Sequence, residues 1–505
     1  MPIRPLRRLI SLLLFPLLLP CSVTLAAPLQ LSVYCTAGDI QRHMSSPADR
    51  QHVLSVLQAL KVTHLFLEGR RGDEYVPATQ LRELRDFFMA HGIRCSGGIA
   101  TVPGDHFGER QHGGLDWLNW ESRKTQGDVA SFFAEDAPVF NELIVDDFFC
   151  TGDVSPQSEQ ARGSRSWGEY RRDLMVSLIK PLMINPTRAA HRQTRIILKF
   201  PQWYDRFHLY GYDPARMPSF FDQIWVGTEV RDPKTRRMGF VQPTEGYMNF
   251  RWLASQAGDK VRGAWFDHIE CSAQNFIDQA YQSVLAGARE LTLFHLSDLM
   301  EGHPGDALLA AKWSGLCRLA DWVHAKSRRG IAYYKPAGSD GAENLYLADY
   351  LGMIGWPILP HAHYPKDAAV AFLPVQAEAD RMLVEEMGRH LGRGATLVMT
   401  PALVRRLGSS GAQIAGVEVG PRSMPASAKT MLIAGEALTL EHPLNFDTSL
   451  IPADCQVLVS ATAEQKSIPF LTSRMVRNGR VLVLNVRTFS EDDFGQGGEW
   501  LLAPQ

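Results

Sequence analysis

From residue 29 onward, short apolar or β-branched runs alternate with longer segments whose apolar residues recur at helical spacing, and the alternation persists to about residue 328. Period-two runs separated by amphipathic segments are the pattern of parallel strands joined by crossover helices. The runs are LQLSVYC, THLFLEG, IRCSGGIATV, ELIVDDFFC, RIILKFPQW, QIWVGTE, VRGAWFDHIE and ELTLFHLSD, eight in all. Helix signals fall between them. Ser46-Pro47 opens SPADRQHVLSVLQALK as N-cap and first-turn proline, Gly92 closes LRELRDFFMAHG, and SWGEYRRDLMVSLIKPLM, NFIDQAYQSVLAGA and DALLAAKWSGLCRLADWVHAKSR follow later strands. Eight βα repeats over roughly 300 residues predict an α/β fold, a (β/α)8 TIM barrel over residues 27–329, because an open doubly wound sheet usually stops at five or six strands.

After Gly330 the pattern restarts with IAYYKP, NLYLADYLGMIGW, AAVAFLPV, EADRMLVEEMGRHLGRG and TLVMTP, and GRVLVLNV closes it. This predicts a smaller α/β domain over 330–505. Between 412 and 478, GVEVG, KTMLIAG, ALTLEHP and CQVLVSA read as short antiparallel strands, a β-rich insertion ahead of the last strand. At the other end, residues 1–26 carry a basic segment (Arg4, Arg7, Arg8), an apolar run from Leu9 to Leu19 interrupted by Pro16, and a small-residue exit at Ala26. That is the pattern of a bacterial secretory signal peptide cleaved after Ala26. It predicts a periplasmic or secreted protein with no membrane span after cleavage.

Composition narrows the function. With 505 residues, 45% hydrophobic, and 52 basic against 54 acidic side chains, the chain builds a core and lacks the electrostatic footprint of a nucleic-acid binder. Six cysteines remain after cleavage (Cys35, Cys95, Cys150, Cys271, Cys317 and Cys455). Their spacing fits no zinc pattern, and lone thiols are the expectation. No Gly-x-Gly-x-x-Gly follows a strand and no Walker loop or Gly-x-Ser-x-Gly elbow occurs, so no cofactor is expected. His361 and His363 form a His-x-His without an acidic third ligand at useful spacing, so no metal is expected either.

In a TIM barrel, function gathers at the C-terminal ends of the strands. The polar and aromatic candidates there are Glu68 and Arg70 on strand two, Asp146 and Asp147 on strand four, and Lys199 and Trp203 on strand five. Strand six adds Trp225 and Glu229, and strand seven adds Asp267, His268 and Glu270. The sharpest feature is Asp146-Asp147 closing the apolar run Leu143-Ile144-Val145. A buried ionised carboxylate needs compensation, and strand alternation lets only one of the two point into the mouth. Hydrolysis of a glycosidic bond needs a second carboxyl on another strand, one protonated and one ionised. Glu229, Asp267 and Glu270 are all open for that place. Aromatic residues crowd the same ends, notably Trp117, Trp203, Tyr204, Tyr210 and Tyr212, and offer faces on which sugar rings stack. The expectation is a glycoside hydrolase with a carbohydrate substrate, Glu68, Arg70, Lys199, Trp203, Trp225, Asp267, His268 and Glu270 lining its site. The alternative is a catalytically inactive barrel that binds glycans or organises a complex.

With these residues, the chain resembles secreted TIM-barrel glycoside hydrolases. Leu143-Ile144-Val145-Asp146-Asp147-Phe148 is similar to the strand-four segment of the α-galactosidase clan, where an apolar strand ends in an aspartate nucleophile. The resemblance implies a retaining enzyme with Asp146 as nucleophile, Asp147 orienting it or binding a sugar hydroxyl, and Glu229 as general acid/base. That clan's acid follows a Trp-Arg pair, whereas here Trp225 is followed by Val226. A barrel with a small α/β domain behind it also resembles the β-galactosidases whose second domain is flavodoxin-like and mediates trimer formation. Those enzymes carry Asn-Glu on strand four where this chain has Asp-Asp. Their likeness implies a flavodoxin-like second domain and a homo-oligomer formed through it.

Overall fold

The computed structural model describes residues 28–113, 115–230, 232, 243–433, 435–463 and 466–487; the expected signal peptide and its cleavage site at Ala26 lie outside the described residues. Eight parallel strands run Gln30–Cys35, His64–Arg71, Arg94–Ala100, Glu142–Val145, Arg195–Phe200, Gln223–Gly227, Val261–Asp267 and Glu290–Phe294. They are strands one to eight below. Each pairs with the next, and strand one pairs with both two and eight, so the sheet closes into the expected TIM barrel. The helices that wrap it begin on side-chain caps. Ser46 and Asp49, Ser166 and Glu169, and Ser272 and Asn275 form reciprocal capping boxes that satisfy otherwise orphaned backbone N–H groups. The connection from strand five to strand six differs: it holds two short 3-10 turns, Tyr204–Leu209 and Met217–Ser219, and no α-helix.

Inside the barrel, Tyr34, Phe66, Ile144, Ile197, Trp225 and Trp265 pack together with Phe294 against them. Two glycines make room. A Cβ at Gly98 would stand 2.8 Å from the Tyr34 hydroxyl, and one at Gly263 would overlap the Trp225 indole. Trp225 therefore fills the barrel rather than the mouth, its Nε1 donating to Thr292 Oγ1 at 2.9 Å. With this layer facing inward, alternation carries the residue two positions further along each strand to the open end: Glu68, Asp146, Lys199, Gly227 and Asp267.

In the second domain, parallel strands Ile331–Tyr334, Ile358–His361, Val370–Leu373, Thr396–Met399 and Gly479–Leu484 are the first to fifth in chain order and lie side by side as 2-1-3-4-5, an order of doubly wound sheets. The β-rich insertion is no separate unit. Its strands Lys466–Val476, Gln456–Ala463, Pro425–Ile433 and Glu436–Asp447 extend the same sheet antiparallel beyond Gly479–Leu484. Ile358–His361 is an edge strand, which is where Pro360 can sit without costing a ladder hydrogen bond. Barrel and second domain share buried core, with Tyr333, Leu347 and Phe372 packed in one cluster with the barrel's residues. The six described cysteines are free. No helix among the described residues is long and apolar enough to cross a membrane.

Candidate active site

The floor of the open end is set by an irregularity in strand two. Glu68 pairs with Gly98 and Arg70 with Ile99, so Gly69 is skipped in the register. One extra residue reverses which side chains face inward from that point on. Arg71, not the expected Arg70, enters the mouth, while the Arg70 guanidinium lies over the Tyr75 and Phe107 rings at 4.3 and 5.0 Å. Arg71 Nη2 donates to Glu68 Oε1 and to Asp146 Oδ2, both at 2.9 Å. Glu68 also accepts from the Tyr34 hydroxyl at 2.6 Å and from the Ala37 backbone at 2.8 Å. It thus lies one layer beneath the cavity as a support for Arg71. Burial pushes its carboxyl up despite the guanidinium beside it.

Strand four ends at Val145, and with it the alternation that would have turned one aspartate away. Both reach the same cation: Lys199 Nζ is 2.8 Å from Asp147 Oδ2 and 3.7 Å from Asp146 Oδ1. The Asp147 backbone N–H donates to Asp146 Oδ1 at 2.8 Å, and the Tyr212 hydroxyl donates to the Asp147 carbonyl at 2.7 Å. Lys199 also donates to Glu229 Oε1 at 2.9 Å and lies 4.6 Å from the Trp265 ring centre. The other Glu229 oxygen is buried without a hydrogen-bond partner among the described residues, in a niche left by Gly227, where any Cβ would collide with it.

Charge divides these acids. Burial raises the Asp146 carboxyl, but Lys199 and Arg71 outweigh it and hold the group below the ordinary aspartate value. Burial is the largest influence on Asp147 as well; Lys199 opposes it, the Asp146 and Glu229 charges add to it, and the carboxyl is pushed up to about 7. Lys199 would lose its proton to burial, yet Asp147, Glu229 and Asp146 raise it well above the ordinary lysine value. A carboxyl held below the ordinary aspartate value thus lies beside one pushed up to about 7, an arrangement fit for acid/base chemistry.

A cavity of about 240 Å³ opens above these groups, with Trp117, Gln202, Trp203 and Asp267 on its walls beside Phe148 and Phe294. Of the residues expected from sequence, Asp146, Asp147, Lys199, Trp203, Glu229 and Asp267 converge there. Trp225 lies below, in the barrel core, 2% exposed. His268 and Glu270 fall outside the cavity lining because strand seven ends at Asp267. His268 Nε2 lies 2.7 Å from Asp306 Oδ1 and its ring stacks on Phe276 at 4.1 Å. Burial opposes its charge, but Asp298 and Asp306 push it up to about 9, a structural imidazolium. Glu270 adopts a left-handed backbone, φ 52°, and its carbonyl accepts from the Asp232 N–H at 3.1 Å. Sequence reasoning missed Arg71 and Phe294. Gly69, which ends the run THLFLEG and lies inside the strand His64–Arg71, was the available sign of a bulge, and parity from the interior layer would have turned Phe294 inward.

The chain is 22% identical over 431 residues to the uncharacterized protein SSO3021 of Saccharolobus solfataricus, covering 77% of this chain and 69% of that one. Residues 327–489 match the model of that protein's second domain. Among solved structures it is similar to Gan42B, a GH42 β-galactosidase from G. stearothermophilus, at 10% identity, 94% of this chain and 88% of that one, TM-score 0.65. It is also similar to the exo-β-1,4-mannosidase Op5Man5 from Opitutaceae bacterium strain TAV5, at 12% identity, 94% of each chain, TM-score 0.60. At such identities the likeness is one of fold. Residues 22–333 match the family model described as probable glycosyl hydrolase, catalytic domain, and, with the barrel and its paired carboxylates in place, the chain belongs to that family of glycosyl hydrolase catalytic domains.

Proposed function

We propose that this protein is a retaining glycoside hydrolase, exported to the periplasm or beyond, in which Asp147 is the proton donor and Glu229 the nucleophile. The observation that carries it is the shared contact with Lys199. Asp147 and Glu229 each place an oxygen within 2.9 Å of one nitrogen, so those oxygens lie within twice that distance of each other. Retaining enzymes hold their carboxyls about 5–5.5 Å apart, against about 6.5–9.5 Å in inverting ones. The roles differ from those implied by resemblance to the α-galactosidase clan, in which Asp146 attacks and Glu229 supplies the proton. Here Asp146 already serves Arg71 and the Asp147 backbone, and its fixed negative charge helps keep Asp147 protonated. Asp147 gives its proton to the leaving oxygen while Glu229 attacks the anomeric carbon. Asp147, now a carboxylate, then takes a proton from the water that releases the sugar.

One observation favours a second reading. Lys199, 2% exposed, bridges the same two acids as a structural ion pair would, which suits a glycan-binding barrel without turnover. A panel of p-nitrophenyl glycosides and oligosaccharides decides between them, with the anomeric configuration of the first product followed by proton NMR. Cleavage with retention supports the proposal, inversion overturns the mechanism, and binding without cleavage supports the second reading. The second domain, whose strand order is that of flavodoxin-like units, is proposed to mediate self-association; sedimentation of the full chain tests that.

A further inference from the structure

The connection between strands five and six carries a wall of the cavity on one side and meets the second domain on the other. Trp203 lines the cavity, its ring 5.5 Å from those of Phe207, Tyr210 and Tyr212. Tyr212 in turn donates to the Asp147 carbonyl. The two residues after Trp203 reach across to the second domain. The Tyr204 hydroxyl donates to Asp349 Oδ2 at 2.9 Å. Asp205 Oδ1 lies 3.1 Å from Lys335 Nζ, and Asp205 Oδ2 accepts from the Tyr346 backbone at 2.7 Å and from Gln376 Nε2 at 3.1 Å.

This seam is buried and directional. The Lys335 and Asp205 side chains are 3% and 1% exposed, and the Lys335 ammonium lies over the Trp252 ring at 4.6 Å. Apolar side chains would join two domains at lower desolvation cost than a buried ion pair does; what the ion pair and its hydrogen bonds add is a single fixed arrangement. The segment so fixed is, among the described residues, the one barrel crossover without an α-helix, a 3-10 turn whose far end the barrel holds through the Thr151 N–H on the Tyr210 carbonyl at 2.9 Å and whose near end the second domain holds.

We infer that the second domain takes part in reading the substrate: Lys335, Asp349 and Gln376 are positioning residues that set the Trp203 wall, and the Tyr210 and Tyr212 rings packed behind it, through Asp205 and Tyr204. The role of that wall in sugar stacking rests on the glycosidase reading; the seam itself does not.

The test uses the full chain labelled with 5-fluorotryptophan, the Trp203 fluorine resonance being identified by its loss in Trp203→Phe. Lys335→Met, which removes the ion pair, and the milder Tyr204→Phe, which keeps it, should each shift or broaden the Trp203 resonance. Trp322, exposed on the outer helix Pro304–His324, should be unmoved. On a p-nitrophenyl glycoside cleaved by the wild type, both variants should raise KM about fivefold or more with kcat within about twofold. A folded variant whose Trp203 resonance stays in place overturns the inference, as does a moved resonance with unchanged KM. Absence of cleavage by the wild type would instead sink the glycosidase reading, and the fluorine spectra would still decide whether the seam sets the wall.

Discussion

At the end of the barrel where the strands begin, Glu142 and Glu290 are bracketed by Arg94 at 3.2 and 3.1 Å, with Arg195 2.8 Å from Glu142 and His64 Nδ1 2.5 Å from Glu290. Burial would raise Glu290, but His64 and Arg94 hold it below the ordinary glutamate value. At the open end, Glu68, Asp146, Asp147 and Glu229 share Arg71 and Lys199 as their cations among the described residues. The first network balances its acids and spends its charge on stability. The second is short of cations, so one acid keeps a proton near neutral pH. Two buried networks in one barrel show that burial alone does not decide whether a carboxyl's pKa rises or falls; the local count of opposite charges does.

The widest separation between the two ends should come from removing one acid at each. Glu229→Gln should lower kcat by about 10⁴-fold, while Glu290→Gln leaves kcat within about twofold and shows its effect in denaturant unfolding as a loss of about 3–5 kcal/mol. Equal losses of activity would erase the distinction. Asp147→Asn should cost about 10²–10⁴-fold on natural linkages yet little of the first step on aryl glycosides, whose leaving groups need no proton. An equal loss on both would move the proton donor elsewhere.

Cations give the next contrast. Lys199→Met strands Asp147 and Glu229 in a buried site and should destabilise by about 3–5 kcal/mol, whereas Arg94, 42% exposed, should cost about 1 kcal/mol or less when changed to Met. Chemical denaturation of both variants measures this.

The smallest effect is on pH dependence. Asp147 titrates at about 7 in the folded chain against an ordinary 3.8, so the folded state holds a proton that the unfolded state has lost. Its contribution to stability is complete below about pH 4 and is lost as pH rises through about 7. Glu290 runs the other way: its contribution is present above the ordinary glutamate value and is lost as pH falls through its lowered folded pKa. Asp147→Asn should therefore flatten the stability profile between about pH 4 and 7, and Glu290→Gln the acid limb below it.

The strands and the Asp146-Asp147 motif were legible because period-two runs and a carboxylate pair at an apolar strand end are local signals. What failed did so at points where local period stops being informative. Gly69 shifts the inward set by one, exchanging Arg71 for Arg70. Strand four ends one residue before Asp146, which lets both aspartates face the lysine. Trp225 looked like a sugar platform by composition, but only three-dimensional packing against Gly263 and Thr292 shows that it fills the barrel. The seam at Asp205, Lys335 and Asp349 joins residues more than a hundred positions apart, beyond the reach of any window along the chain.

The skipped glycine in strand two has a consequence for how the site tolerates change. Loss of Gly69 would make the pairing regular and leave Arg71 inward, opposite Ala100; because Arg70 and Arg71 stand in tandem, drawing Gly69 into the ladder instead would bring Arg70 to the inward position. A guanidinium would still face Glu68 and Asp146. A one-residue slip of register at that point, which ordinarily turns every later side chain of a strand to the other face, is thus buffered by repetition of the one residue type the floor requires, and the site keeps its cation in either register.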